Sequence, residues 1–275
     1  MHRRDDQPEI ELSIVIPAHN EARNIGPLVR EIDDAISALG IAFECVIVDD
    51  ASSDGTLDAI RACMVASPWV RCVSLAPTTP GVGNGQSAAF GAGFMLARGA
   101  WIATMDADLQ NDPADLPKLL ELRVPSGADM VQGDRSAARS RGDAWVRRFG
   151  SGVGRWFRRA LLGDTIADTG CSLRVMRREV ALRLPLEFRG THRFIPASAR
   201  HMGYTVVETP VSHRPRHAGE PKYGAGIASR AIPGLVDLFA VRWMRSRRRW
   251  PRRTVIERDP VEHKPAPEHA RTASA

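Results

Sequence analysis

The chain has 275 residues, 43% hydrophobic and 25% charged, a globular composition long enough to bury one large core. Basic residues exceed acidic ones by 38 to 32, a net charge of +6, and much of that excess falls late in the chain. Four scattered cysteines, Cys45, Cys63, Cys72 and Cys171, lack any C-x-x-C spacing, which argues against zinc and a disulfide framework and suits a reducing compartment.

The opening MHRRDDQPEIEL has no apolar core of a leader, so no secretory signal is expected. Ile10 to Pro17 reads as a buried strand, and His19-Asn20-Glu21 as a polar turn. Asn20 or Asn24 is expected to cap the next helix, in which Ile25, Leu28, Val29, Ile32 and Ile36 recur at helical spacing until Gly40. Phe43 to Val48 is a second strand ending in Asp49-Asp50, and Ser52 to Thr56 turns into a helix through Met64. Val70 to Leu75 is a third strand; a Gly/Pro/Thr loop leads to a small-residue helix from Gln86 to Arg98. The next stretch, WIATMDADLQNDP from Trp101 to Pro113, starts apolar and ends in acids. A helix from Pro113 to Leu122 and a strand from Asp129 to Gln132 follow.

Alternating strands and helices imply an α/β fold with a parallel sheet, which binds ligands beyond the carboxyl ends of its strands. The Pro17–Glu21 turn, Asp49-Asp50 and Asp106-Ala107-Asp108 all fall at such ends, so three polar clusters share one rim. Two carboxylates one residue apart suit a hard cation such as Mg²⁺ or Mn²⁺. The plainer alternative is a polar loop that caps the next helix. A dinucleotide fold would need G-x-G-x-x-G after the first strand, where the chain reads PAHNEARN.

The segments IVIPAHNEARNI, VDDASSDGT, GNGQSAAFGAG and MDADLQNDPADLP, in that order, resemble a family 2 glycosyltransferase with a GT-A fold, a Rossmann-like sheet that takes nucleotide sugars. DTGCSLRVMRREV, HRFIPA and PVSHRPRHAGEPKYG resemble its polyprenyl-phosphate branch, which includes dolichyl-phosphate mannose synthase and undecaprenyl-phosphate relatives. The likeness runs from about Leu12 to Trp243.

The resemblance implies that Pro17, Asn20, Glu21 and Asp50 hold the nucleotide of a sugar donor, with Gln86 and Asp106 as further contacts. A carboxylate there can accept base N–H or ribose O–H bonds, whereas the plainer role for Glu21 is a charge at a helix N-terminus. Asp106, Asp108 and Gln110 match the family's metal-binding pattern, and on an extended strand Asp108 and Gln110 would face the same way. Arg135, Arg147 and Ser151 correspond to the grip on the acceptor phosphate, and Arg214, Arg216, His217, Lys222 and Tyr223 to a basic loop over the diphosphate. Gly219 and Gly224 would let that loop move. Asp168 resembles an acid assigned as catalytic base, although it could equally position an arginine.

From Ile227 the character changes. Ile232, Leu235, Val236, Phe239 and Trp243 fall on one helical face with Met244 adjoining, and arginines cluster from Arg242 to Arg253. This pattern suits the surface of an anionic membrane, where each basic residue adds about 1 kcal/mol. Nucleic acid is the rival partner and is disfavoured without a recognition fold. The chain therefore divides into a tail (1–9), a catalytic domain (10–224), an interfacial helix (225–250) and a disordered tail (251–275), with no transmembrane helix. The expected protein lies on the cytoplasmic face of a membrane. It transfers sugar, with inversion and a divalent metal, from a nucleotide-diphosphate sugar to a polyprenyl phosphate. A sugar hydroxyl acceptor and a basic module without turnover are the alternatives, and the donor's base and sugar stay open.

Overall fold

In the computed structural model, residues 9–79, 81–139, 157–218 and 227–249 are described. The first half alternates as read: β1 (Leu12–Ala18), α1 (Ala22–Ile36), β2 (Phe43–Asp50), α2 (Thr56–Ala66), β3 (Val70–Leu75), α3 (Gln86–Leu96), β4 (Trp101–Thr104) and α4 (Leu116–Ser126). Then come β5 (Met130–Asp134), α5 (Ser136–Arg139), α6 (157–162), β6 (Arg174–Arg177), α7 (Arg178–Ala181), α8 (Ile195–His201), β7 (Val206–Pro210) and α9 (Ile227–Arg247). Two strands, β6 and β7, were not anticipated; at four and five residues they are too short to show a period.

The seven strands form one sheet ordered β3-β2-β1-β4-β6-β5-β7. All neighbours run parallel except β6, which is antiparallel to both β4 and β5. Period-two alternation sends β1 side chains to opposite faces. Leu12, Ile14 and Ile16 meet Ile25, Leu28 and Ile32 of α1 and Leu116 of α4, whereas Val15 meets Phe90 and Phe94 of α3. Helix α3 lies so close to the sheet that a Cβ on Gly93 would stand 2.3 Å from Val15 Cγ1. Only glycine permits that approach.

Helix α1 starts differently from the capping expectation. Its N-cap is Glu21, with no side-chain capping bond, and Asn20 instead holds the preceding turn. Beyond the sheet, Leu238 and Val241 of α9 pack on Leu162, Phe194 and Ala197, and Met244 joins that packed side. The opposite side leaves Leu235, Val236, Phe239 and Trp243 exposed. The side chain of Ile232 and the tails at 1–8 and 250–275 lie outside the described residues. Among the described residues no helix is long and apolar enough to cross a membrane.

Candidate functional site

Strand β1 has β2 on one side and β4 on the other, so the order of connection reverses beside it and opens a crevice at the carboxyl ends. Because β6 starts where β4 ends, with Arg174 opposite Thr104, the Asp168–Ser172 turn before β6 reaches the same rim. The ends of β5 and β7, at Asp134 and Pro210, lie there too. One edge therefore gathers segments from six strands.

Three turns on that edge each contain a non-glycine residue in the left-handed region: Asn20 (φ 54°), Ala51 (φ 55°) and Leu109 (φ 61°). Among the described residues these are the only such positions, and each costs about 1 kcal/mol. They persist because the surroundings over-determine them. Asn20 Oδ1 accepts from Ser53 N at 2.8 Å, and Asn20 N donates to Ser52 Oγ at 3.0 Å. Asn111 Oδ1 accepts from Asp106 N at 3.3 Å and from Ser172 Oγ at 2.7 Å, pinning the acidic turn to the turn before β6.

Asp49 and Asp50 divide their work. Asp49 accepts from Ser52 N and Ser74 Oγ and is structural. Asp50 builds the glycine-rich loop: Oδ1 takes Asn84 N at 2.8 Å and Asn84 Nδ2 at 3.0 Å, and Oδ2 takes Gly85 N at 2.7 Å. His19 Nδ1 lies 2.6 Å from Asp50 O. A side chain at Gly83 would press within 2.8 Å of Asp50 Oδ2, so the loop closes tightly onto this acid. Gln86 then reaches from the start of α3 to Asp106 Oδ1.

The acids themselves are crowded. Asp108 is buried, and burial followed by the nearby charge of Asp106 pushes its carboxyl up to about 6. Arg216 relieves part of that charge, with Nη2 at 2.8 Å from Asp108 Oδ2 and Nη1 at 3.3 Å from Glu21 Oε1. Glu21 Oε2 also accepts from Asn24 Nδ2 at 2.6 Å. The segment after β7 lies along the acidic turn, with Arg214 N bonded to Gln110 O and His217 N to Asp108 O. Strand β4 ends at Thr104 and Leu109 is left-handed, so the turn is not extended and the shared parity of Asp108 and Gln110 does not hold. A cation here would be held by Asp106 and Asp108; among the described residues no group of three His, Cys, Asp or Glu assembles. Two surplus carboxylates fit a hard cation that takes its remaining oxygens from water and phosphate.

On the other side of β4, Arg135 and Asp168 form a buried bidentate pair, Nε to Oδ2 at 2.8 Å and Nη2 to Oδ1 at 3.2 Å. Gln132 Nε2 holds the carbonyls of Asp168 and Cys171 from behind. Arg174 is 2% exposed and bonds only carbonyls in this network, those of Cys171 and His192. Burial lowers its guanidinium to about 10. Arg214 is not brought to the acids of the rim: it spans Glu31 and Asp112 on the flank. Arg147, Ser151, Lys222, Tyr223, Gly219 and Gly224 lie outside the described residues. Asn84, Asn111, Arg174 and the Ser87–His192 contact at 2.9 Å went unanticipated, because each makes a bond to a distant partner: Asn84 to Asp50 34 residues away, Asn111 to Ser172 61 away, Arg174 to His192 18 away and Ser87 to His192 105 away.

Residues 13–184 match the family model for Glycosyl transferase family 2. A dodecaprenyl-phosphate galacturonate synthase of Rhizobium johnstonii is 34% identical over 241 residues, covering 86% of this chain and 68% of that protein. An undecaprenyl-phosphate 4-deoxy-4-formamido-L-arabinose transferase of Edwardsiella ictaluri is 34% identical over 213 residues, covering 78% of this chain and 63% of that protein. Among solved structures, a glucosyl-3-phosphoglycerate synthase from Mycobacterium tuberculosis superposes with a TM-score of 0.61 at 22% identity, over 83% of this chain and 80% of that one. A mannosyltransferase from Pyrobaculum calidifontis, solved with GDP-Man and Mn²⁺, gives 0.55 at 21% identity, over 85% and 64%. The fold is the GT-A fold of these glycosyltransferases.

Proposed function

The chain belongs to glycosyl transferase family 2, and from that premise we propose that it moves a sugar from a nucleotide-diphosphate donor to the phosphate of a polyprenyl phosphate, with inversion at the anomeric carbon. The Arg135–Asp168 pair carries this reading. Each oxygen of Asp168 accepts from the one guanidinium, which supports a charge clamp there over a proton acceptor. A sugar hydroxyl needs a base to become a nucleophile. A phosphate monoester, with a second pKa of about 6, is already mostly dianionic at neutral pH and needs positioning more than deprotonation. Dodecaprenyl phosphate and undecaprenyl phosphate appear in the names of the two relatives, which supports such an acceptor.

In this reading the nucleotide lies over the turns of Pro17–Glu21 and Asp50, against the loop that Asp50 holds. Gln86 orients Asp106, and the diphosphate approaches Asp106 and Asp108, drawing Arg216 from the acids onto its own oxygens with His217 beside it. Mg²⁺ or Mn²⁺ held by Asp106 and Asp108 would supply Lewis-acid stabilisation of the departing nucleoside diphosphate. Arg135, fixed by Asp168, presents the acceptor phosphate to the opposite face of the anomeric carbon. The exposed apolar side of α9 and its arginines rest on the cytoplasmic surface of an anionic membrane, and nucleic acid is not a partner.

The test is incubation with Mg²⁺ or Mn²⁺, undecaprenyl phosphate and a panel of labelled nucleotide sugars. Label passing into the organic phase identifies the donor. Folded protein that transfers none of the sugars overturns the proposal. A sugar hydroxyl acceptor is the second reading, and label that passes to a glycan or glycolipid hydroxyl but not to undecaprenyl phosphate would favour it.

A further inference from the structure

The segment after β7 is tied across the acidic turn and the start of α1. Arg214 N donates to Gln110 O at 2.9 Å and His217 N to Asp108 O at 3.4 Å. Asn24 Nδ2, in the first turn of α1, donates to Ala218 O at 3.3 Å. The backbone on both sides of Arg216 is thereby fixed over the rim, and its half-buried side chain reaches Asp108 and Glu21.

The two oxygens of Asp108 are engaged differently. Oδ1 accepts from Gln110 N at 3.1 Å, a neutral donor of its own turn. Oδ2 faces the guanidinium of Arg216, with Nη2 at 2.8 Å. On Asp106, Oδ1 accepts from the neutral amide of Gln86. Arg135 and Arg174 also act on Asp106 through their charge, but their bonds go to Asp168 and to carbonyls. Mg²⁺ takes a carboxylate oxygen at about 2.1 Å. Bound at Oδ2, it would stand at most about 5 Å from Nη2, which is itself 2.8 Å from that oxygen. Positive charges that close repel strongly in a half-buried site. Arg216 and a cation therefore compete for one carboxylate oxygen. A diphosphate relieves the competition, because its oxygens accept the fork of the guanidinium and supply further ligands to the cation.

We propose that Arg216 is a built-in counter-cation of Asp108, which makes the affinity of the site for its divalent metal conditional on the diphosphate of the donor. The proposal rests on the reading of Asp106 and Asp108 as the metal-holding acids beside a nucleoside diphosphate. It deepens that reading by naming the side chain that sets the order of binding: metal alone is resisted, and metal with diphosphate is accepted. Linkage makes the effect reciprocal, so the metal tightens the diphosphate by the same factor.

Titration of the whole chain with Mn²⁺ in mildly alkaline buffer, monitored by the paramagnetic resonance of the free ion, tests it without sugar or acceptor. The unaltered chain is expected to bind Mn²⁺ weakly alone and at least about tenfold more tightly with saturating UDP or GDP. Arg216→Gln is expected to bind Mn²⁺ alone at least about tenfold more tightly than the unaltered chain, and to gain less from the diphosphate. Arg216→Lys, which keeps the charge, retains the weak binding. Adding Asp108→Asn to Arg216→Gln abolishes the gain, which ties it to that one carboxylate. Arg214→Gln removes an equal charge from Glu31 and Asp112 on the flank, and should change Mn²⁺ binding less than about threefold. Mn²⁺ affinity that is unchanged or lower in Arg216→Gln overturns the proposal, as does an equal gain in Arg214→Gln. Binding of Mn²⁺ by neither chain, with or without UDP or GDP, removes the metal reading as well. The transfer assay reports separately: no sugar transfer, with the gain in Arg216→Gln intact, removes the acceptor reading and leaves this one standing.

Discussion

Arg216 Nη2 stands 2.8 Å from Asp108 Oδ2, so a guanidinium lies against the acid whose carboxyl is pushed up by burial and by Asp106. The same side chain reaches Glu21, tying the segment after β7 to the turn after β1. A diphosphate would offer this guanidinium a better partner than either acid. Arg216→Gln is accordingly expected to lower kcat/KM ten- to hundredfold, the worth of one charge-assisted bond. Steady-state kinetics with saturating metal measure it.

Asp106→Asn and Asp108→Asn each remove one of the two carboxylates available to a cation. Both variants are expected to lose transfer by at least about a hundredfold. Calorimetry of nucleoside diphosphate binding should show that Mn²⁺ strengthens binding to the unaltered chain and not to either variant. Chelation should abolish transfer, and added Mn²⁺ should restore it.

Asp168→Asn leaves Arg135 buried without its counter-charge, a loss of about 3 kcal/mol of stability. If Asp168 positions Arg135 and takes no proton, the variant has reduced kcat with an acid limb of the pH–rate profile at the same pH. A profile whose acid limb disappears would instead make Asp168 a base. Denaturant melts record the stability change independently.

Gly83→Ala drives a methyl group to within 2.8 Å of Asp50 Oδ2 and 3.1 Å of both Asp50 O and His19 Nδ1. The loop must open, and its bonds from Asn84 and Gly85 to Asp50 weaken. Donor KM is expected to rise about tenfold, the loss of one hydrogen bond to a charged group, while thermal stability changes little. Equilibrium titration of the donor nucleotide checks the first part and calorimetry the second.

His192 is held neutral. Burial first, then Arg193 and Arg174, lower it to about 3 from an ordinary 6.5. The folded chain therefore binds fewer protons than the unfolded chain between those values. Its contribution is complete above pH 6.5 and declines as the pH falls toward 3. At pH 5 the loss is about 2 kcal/mol. His192→Gln, which keeps a partner for Ser87, should flatten the pH dependence of the melting midpoint between pH 7 and 5 relative to the unaltered chain.

Local pattern made the first half legible. Ile14-Val15-Ile16, the 3.6-residue recurrence in α1 and the acids after β2 and β4 are short-range signals, and strand–helix alternation then dictates a parallel sheet. The nucleotide side of the rim followed, since Glu21, Asp50, Asp106 and Asp108 all close strands that the pattern identifies. The acceptor side was legible only through motif likeness. The order of β4, β6 and β5 depends on pairing between residues 70 to 76 apart for β4 with β6 and 42 to 46 apart for β6 with β5, which no local period encodes. Leu109's left-handed turn likewise defeated the parity argument for Gln110, because extension past Thr104 was an assumption about backbone that residue types do not settle.

Residue types and their order by themselves determined the family, the sheet with its helices on both faces, and the Asp106-Ala107-Asp108 turn as the centre of the proposed site. Tertiary structure alone decided what each charge does. It placed Asp168 against Arg135, spent Arg214 on Glu31 and Asp112, and set Arg216 across Glu21 and Asp108. It also turned Leu238 and Val241 of α9 inward and left Phe239 and Trp243 outward. The physical reason is common to all four. A charge or an apolar face acquires its role from the partner that packs on it, and those partners come from strands and helices far away in the chain.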